Sequence, residues 1–167
     1  MLGENGQNTC PLHFLDYYQL IVYNINRNTK GEEVIAILLH CRSERSTIRN
    51  LLKETKDILL SPDFNIDTDY ILIQSSKEDF EYSTSATMID LDFGDEDVIA
   101  TLLSLELEDY SHTLIDRDND EPPWLFVFGK VIQKKMVYIK YKIREGKRII
   151  ICVSFHYPKE QMEFPYR

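Results

Sequence analysis

Three side chains in the C-terminal half of the sequence, His112, Tyr138 and His156, have the chemistry needed for proton transfer. Imidazole ordinarily titrates at about pH 6.5, so a histidine can serve as a base or as an acid close to neutral pH. Two imidazoles beside a cationic strand suit metal-independent RNA cleavage, in which a base removes the ribose 2′-hydroxyl proton and an acid protonates the leaving 5′-oxygen. By spacing alone, a histidine at a helix end and another at a strand end are ordinary structural residues, and that interpretation stays open.

The segment around Tyr138 carries most of the positive charge. The whole chain has 19 basic and 28 acidic residues, a net charge of −9, and residues 77–128 hold 15 acidic residues against two basic ones. Residues 129–148, by contrast, hold eight basic residues and one acidic residue. Because a phosphate backbone senses charge within roughly 8–10 Å, this stretch can bind RNA although the protein is acidic. A lysine-protected edge strand is the alternative explanation. The candidates for backbone contact are Lys130, Lys134, Lys135, Lys140 and Lys142.

Strands must position these side chains. Residues 124–128, 136–144 and 148–155 alternate in the manner of an antiparallel meander, and pairing of the last two strands brings Tyr138 near residues 154–156. Alternation places Lys140 and Lys142 on the same strand face as Tyr138. The opposite face, which should belong to the core, carries Ile139, Tyr141 and Ile143.

The preceding part of the chain predicts a mixture of strands and helices. Residues 17–26 and 32–41 are typical of paired hairpin strands, although a short helix could replace the second. The three- and four-residue spacing of apolar residues from Ile48 to Leu59 predicts a helix over 47–60, and a strand follows at 70–74. Residues 77–121 are acidic and mostly helical, with His112 at the end of the helical stretch.

Other constellations point less clearly to chemistry. Residues 116–120 have aspartates with calcium-like spacing but lack the required glycine and closing glutamate. Cys10, His13, His40 and Cys41 offer zinc ligands, but adjacent residues rarely both reach one ion. We therefore expect no metal and no cofactor. The odd number of cysteines, the lack of a signal peptide and the lack of a bilayer-length apolar run predict a cytoplasmic protein without membrane contact.

An ordered series of short motifs runs through residues 85–157. Leu91-Asp92-Phe93 precedes an apolar helix, Glu108-Asp109-Tyr110-Ser111-His112 follows it, Trp124 precedes Val137-Tyr138-Ile139-Lys140, and Val153-Ser154-Phe155-His156 ends the series. This order resembles the MqsR-type toxins of bacterial toxin–antitoxin systems, small ribonucleases with a RelE-related fold. The resemblance implies that Tyr138 is catalytic and that His112 and His156 stand where the family commonly has lysines. Leu125 departs from the family, which has a glutamine there.

Together, the resemblance and the residue patterns predict a fold, a division of the chain and an activity. The fold should be α+β, with helices packed on a twisted antiparallel sheet that is RelE- and barnase-like and extended by an N-terminal β-hairpin. Residues 1–78 should form the hairpin-and-helix extension, and residues 79–167 the toxin domain. The implied activity is a metal-independent endoribonuclease that cleaves mRNA, with His112 and His156 as the acid–base pair in either order, restrained by a cognate protein antitoxin or inhibitor. The alternatives are a non-catalytic RNA- or protein-binding regulator on the same scaffold, or a protein whose acidic segment docks a basic partner.

Overall fold

A computed structural model of the chain describes residues 17–22, 26–27, 33–34, 37–74, 80–114, 124–144 and 146–167, with side chains from Cys41 onward. The strands in these ranges are β1 (Tyr17–Val22), β2 (Asn26–Arg27), β3 (Glu33–Val34), β4 (Ile37–Arg42), β5 (Tyr70–Leu72), β6 (Tyr110–Leu114), β7 (Leu125–Ile132), β8 (Lys135–Arg144) and β9 (Ile149–His156). The helices are α1 (Arg45–Leu59), α2 (Ile66–Asp69), α3 (Thr84–Leu91) and α4 (Asp95–Leu103), and short 3₁₀ turns cover Phe80–Tyr82 and Leu107–Asp109.

Most of the described strands form one mixed sheet in the order β1-β4-β6-β7-β8-β9-β5, and β2 pairs with β3 separately. The neighbours in the large sheet are antiparallel except β5, which runs parallel to β9. The α+β class is therefore confirmed, and the paired strands β1 and β4 add the expected hairpin to the sheet. The difference from the expectation is the parallel edge strand β5. Parallel strands cannot be joined by a tight turn, so no local sequence signal predicts the pairing of β5 with β9.

Helices cover one face of the sheet and form the core with it. In β8 the residues Val137, Ile139, Tyr141 and Ile143 are all buried, which confirms the predicted alternation. The hydroxyl group of Tyr141 lies 3.0 Å from Thr55 Oγ1 of α1, so the helix meets the sheet through a satisfied polar contact as well as through apolar side chains. Burial raises the pKa of the Cys41 thiol to about 11 and that of the Cys152 thiol to about 12.

The core draws on both sides of the division expected at residue 78. Ile48 and Leu52 of α1 belong to the same hydrophobic cluster as Leu102 of α4 and Phe155 of β9. The division into two units stays a prediction from sequence. No helix in the described part of the chain has the length and apolar character that a bilayer span requires.

Residues 110–114 form a strand, so the expectation that His112 ends a helix is wrong. The helical character stops after one 3₁₀ turn, in which the Asp109 carboxylate accepts a hydrogen bond from the Glu106 backbone N–H at 3.1 Å. Tyr110 then has extended backbone and is fully buried opposite Phe128 of β7, with the two rings edge to face at 5.8 Å. Burial of the large ring favours β pairing here over a further helical turn.

Candidate functional site

The candidate residues lie on the sheet face opposite the helices, here called the open face. Tyr138, Lys140 and Lys142 alternate with the buried residues of β8 and therefore point to this face. Tyr138 pairs directly with His156 of β9 on one side and with Gly129 of β7 on the other. Because directly opposed residues in antiparallel strands point the same way, these three residues form one row across the open face.

Tyr138 and His156 form a compact pair. Their rings are stacked with centroids 5.0 Å apart and planes 17° apart, which confirms that the last hairpin brings Tyr138 near residues 154–156. His156 Nδ1 lies 2.9 Å from the carbonyl oxygen of Tyr157. A carbonyl oxygen only accepts hydrogen bonds, so Nδ1 donates, and in the neutral ring the lone pair is then on Nε2. The arrangement leaves Nε2 as the nitrogen that can accept a proton.

The carbonyl that orients His156 belongs to a residue whose side chain is held in place. Asp90 of α3 accepts hydrogen bonds from both the Tyr157 hydroxyl group and the Lys135 ammonium group. These two hydrogen bonds lower the pKa of the Asp90 carboxyl group, and the one from Lys135 has the larger effect. The Lys135 nitrogen also lies 5.4 Å from the centre of the Tyr157 ring. The backbone following His156 is therefore tied to α3.

His112 lies on the open face but away from this pair. It is opposite Val127, which is opposite Lys140, so His112 and Lys140 share a row that is displaced by two residues from the row of Tyr138. A β-bulge separates Tyr110 from His112, and the His112 ring Nδ1 lies 2.9 Å from Ser111 Oγ. At about 4.8 Å per strand and 3.4 Å per residue, the Cα atoms of His112 and His156 are about 16 Å apart in a flat sheet. The structure thus brings Tyr138 and His156 together and leaves His112 three strands from His156.

The lysines predicted to contact RNA are divided between the two faces. Lys140 and Lys142 lie on the open face with Tyr138. Lys130 points to the helix side, where its ammonium group lies 2.6 Å from Asp109 Oδ2 and donates to the Ser104 carbonyl at 2.9 Å. Lys135 is paired with the carboxylate of α3 described above.

Lys134 is exposed in the turn between β7 and β8, where its φ of 68° is left-handed. It belongs to neither of the two faces described for the other lysines. The structure therefore reduces the open-face lysines of the predicted set to two.

Sequence reasoning missed the residues that border Tyr138 on the β7 side. A Cβ atom added at Gly129 would lie 2.7 Å from Phe164 Cζ and 2.9 Å from Met162 Sδ, so the C-terminal residues pack directly on this glycine. The available signal was the aromatic character of Phe164 and Tyr166, because large aromatic side chains are more often packed than exposed.

Most of the candidate metal ligands in the sequence lie outside the described side chains. Within the described side chains, no group of three or more His, Cys, Asp or Glu residues is arranged to hold a metal ion. Cys10 and His13, the His40 side chain and the aspartates of residues 116–120 lie outside the described residues.

These observations define a small α+β protein in which candidate proton-transfer and cationic side chains share the open face of a mixed sheet. The model of one protein family, described as "Motility quorum-sensing regulator, toxin of MqsA", matches residues 68–157, which is 90 of the 167 residues. The chain therefore belongs to the MqsR toxin family, which confirms the resemblance seen in its motifs. The match includes His112, Tyr138 and His156 and ends one residue after β9. Comparisons with curated proteins and with solved structures each gave no match.

Proposed function

We propose that this chain is an endoribonuclease toxin of a toxin–antitoxin system that cleaves messenger RNA in the cytoplasm without a metal ion. Membership of a toxin family supports the biological class. The observation that carries the chemistry is the stacked Tyr138–His156 pair at the end of a strand that also presents Lys140 and Lys142 on the open face.

The proposed reaction is transesterification at phosphorus. A base takes the 2′-hydroxyl proton, O2′ forms a bond to phosphorus, and the bond from phosphorus to O5′ breaks as an acid gives O5′ a proton. The products are a 2′,3′-cyclic phosphate and a 5′-hydroxyl group. His156 performs one of the two proton transfers through Nε2, because its Nδ1 donates to the Tyr157 carbonyl. The Tyr138 hydroxyl donates to a phosphate oxygen, and Lys140 neutralises charge on the phosphate.

We assign the second proton transfer to His112, which faces the same side of the sheet across Val127 and Lys140. Its distance from His156 requires the substrate to lie between the two rings. Removal of a general acid or base typically lowers the rate by about 100-fold or more. In the His112→Ala variant kcat/KM should therefore fall by at least about that factor, while RNA is still bound.

The same distance favours a second candidate, a non-catalytic RNA- or protein-binding regulator on this scaffold. If His112 and His156 never act on one phosphate, RNA binds without being cleaved. Cleavage by wild-type protein that is lost in His156→Ala excludes this candidate, while retention of intact RNA supports it.

We further propose that a protein antitoxin restrains this toxin, since the description of the family contains the words "toxin of MqsA". Copurification of an antitoxin of that type with the chain, and loss of RNA cleavage in the complex, is the expected result. Undiminished cleavage in a stable complex would contradict the proposal.

The test of the activity is incubation of purified protein with mixed RNA in EDTA. We expect cleavage by wild type and a rate lower by about 100-fold or more in His156→Ala, as is typical when a general acid or base is removed. His13→Ala is the matched histidine control, because His13 is not part of the proposed site, and it should cleave like wild type. Absence of product from wild type, or equal rates for wild type and His156→Ala, would refute the assignment.

A further inference from the structure

The last residues of the chain, 157–167, form a segment here called the C-terminal strap, which is fixed at both ends. At its start, the Tyr157 hydroxyl group donates to Asp90. At its end, Tyr166 is only 8% exposed, stacks on Tyr110 at 5.6 Å and donates its hydroxyl proton to the Ser43 carbonyl. The strap lies beyond the segment matched by the family, apart from its first residue.

Arginines reinforce the far end of the strap. The guanidinium groups of Arg42 and Arg45 lie 4.8 Å and 4.9 Å from the centre of the Tyr166 ring, and Arg42 donates to the Pro165 carbonyl at 2.7 Å. The Arg167 guanidinium carbon lies 3.6 Å from the centre of the Phe164 ring. Tyr166 thus combines cation–π contacts on its ring with a buried, hydrogen-bonded hydroxyl group. These interactions fix the end of the strap.

Between its two ends the strap crosses the open face beside the candidate site. It leaves β9 just after His156, and its residues Met162 and Phe164 pack on Gly129 of β7. Because β8 lies between β9 and β7, the strap runs from the β9 side of β8 to the β7 side, starting and arriving in the row of Tyr138. Phe164 therefore packs on the residue that is paired directly with Tyr138, and directly paired residues in antiparallel strands have Cα atoms about 4.5–5.5 Å apart.

We propose, on the basis of the proposed function, that the C-terminal strap closes one end of the RNA site. Single-stranded RNA lies along β8 over Lys142 and Lys140 and ends against Met162 and Phe164, with the scissile phosphate over Tyr138 and Lys140, between His156 and His112. The toxin therefore contacts nucleotides on one side of the scissile bond and few or none on the other side. The strap acts as a specificity-determining element for the position of the cut within the bound segment.

The experiment uses short RNAs that contain one cleavage site and are lengthened one nucleotide at a time on either side. We expect kcat/KM to rise about tenfold or more as one flank grows and to change less than about twofold as the other grows, since a contacted base typically contributes that much to single-strand binding. The Met162→Ala/Phe164→Ala double variant keeps the Tyr166 anchor. In this variant, lengthening the flank that has little effect in wild type should begin to raise kcat/KM. The exposed Glu163→Ala variant, between the two, should keep the one-sided response.

Equal dependence of wild type on both flanks would overturn this inference and leave the proposed function intact. An unchanged one-sided response in the double variant would also overturn it, and if that variant does not fold, Phe164→Leu tests the same contact. If wild type cleaves nothing, binding of 2′-O-methyl versions of the same RNAs measures the same asymmetry. Failure to cleave and to bind would refute the proposed function itself.

Discussion

Replacing Gly129 by alanine measures how closely the C-terminal strap sits on the sheet. The new Cβ atom would lie 2.7 Å from Phe164 Cζ and 2.9 Å from Met162 Sδ, whereas carbon atoms in favourable contact are about 3.5–4.0 Å apart. Over-packing of this kind costs about 1–3 kcal/mol, and alanine recovers about 0.4–1 kcal/mol by restricting the unfolded chain. The midpoints of these two ranges give a fall of about 1.3 kcal/mol in the free energy of unfolding. For a chain of this length that corresponds to a Tm lower by about 3–5 °C.

Urea denaturation followed by circular dichroism provides the measurement, repeated in a Met162→Ala/Phe164→Ala background. Removing both side chains clears the space for the new Cβ atom, so Gly129→Ala should be about 1 kcal/mol less costly there than in wild type. Val131→Ala on the same strand is the control, because Val131 is 57% exposed and its substitution should change stability by less than about 0.5 kcal/mol. A Gly129→Ala variant as stable as wild type, or an equal cost in both backgrounds, would refute the described position of the strap.

Three further predictions concern charge, burial and anchoring. Lys140→Ala should weaken RNA binding, measured by fluorescence anisotropy, and reduce its salt dependence by about one phosphate contact. Lys130→Ala should leave the salt dependence unchanged, because the Lys130 ammonium group is paired on the helix side. Equal salt dependence for both variants would contradict the division of the lysines between two faces. In a Cys10→Ser variant the two buried thiols should react with a thiol reagent at neutral pH only after denaturation, because burial raises the pKa of each; rapid reaction of the native protein would contradict their burial. Tyr166→Phe should lower the free energy of unfolding by about 1–3 kcal/mol because a buried carbonyl loses its donor, and urea denaturation with an unchanged midpoint would show that the anchor contributes nothing.

The C-terminal hairpin was predictable because its signal is local. The alternation of apolar and polar residues in β8 assigns Ile139, Tyr141 and Ile143 to the core and Tyr138 to the opposite face, and a short turn determines which residues of β9 lie opposite. The same alternation also places Lys135 on the covered face with Ile139, so its pairing with a helix could have been expected from the pattern.

His112 was not predictable in the same way. Its segment follows several acidic residues that suit a helix start, and the actual strand depends on burial of Tyr110 against Phe128 and on a β-bulge, which are tertiary features. The parallel pairing of β5 with β9 joins residues far apart in sequence. The course of the C-terminal strap depends on the contacts of Tyr166 with Ser43 and Tyr110, which are also distant in sequence. Neither leaves a periodic pattern.

The most direct test of the central claim, that Tyr138 and His156 carry out metal-independent RNA cleavage, is analysis by mass spectrometry of the ends produced in EDTA. We expect wild type to leave 2′,3′-cyclic phosphate and 5′-hydroxyl ends, and we expect neither His156→Ala nor an RNA with a 2′-deoxynucleotide at the cut to give product at a comparable rate. Cleavage that leaves 3′-hydroxyl ends, that proceeds equally at a 2′-deoxynucleotide, or that persists in His156→Ala would contradict it.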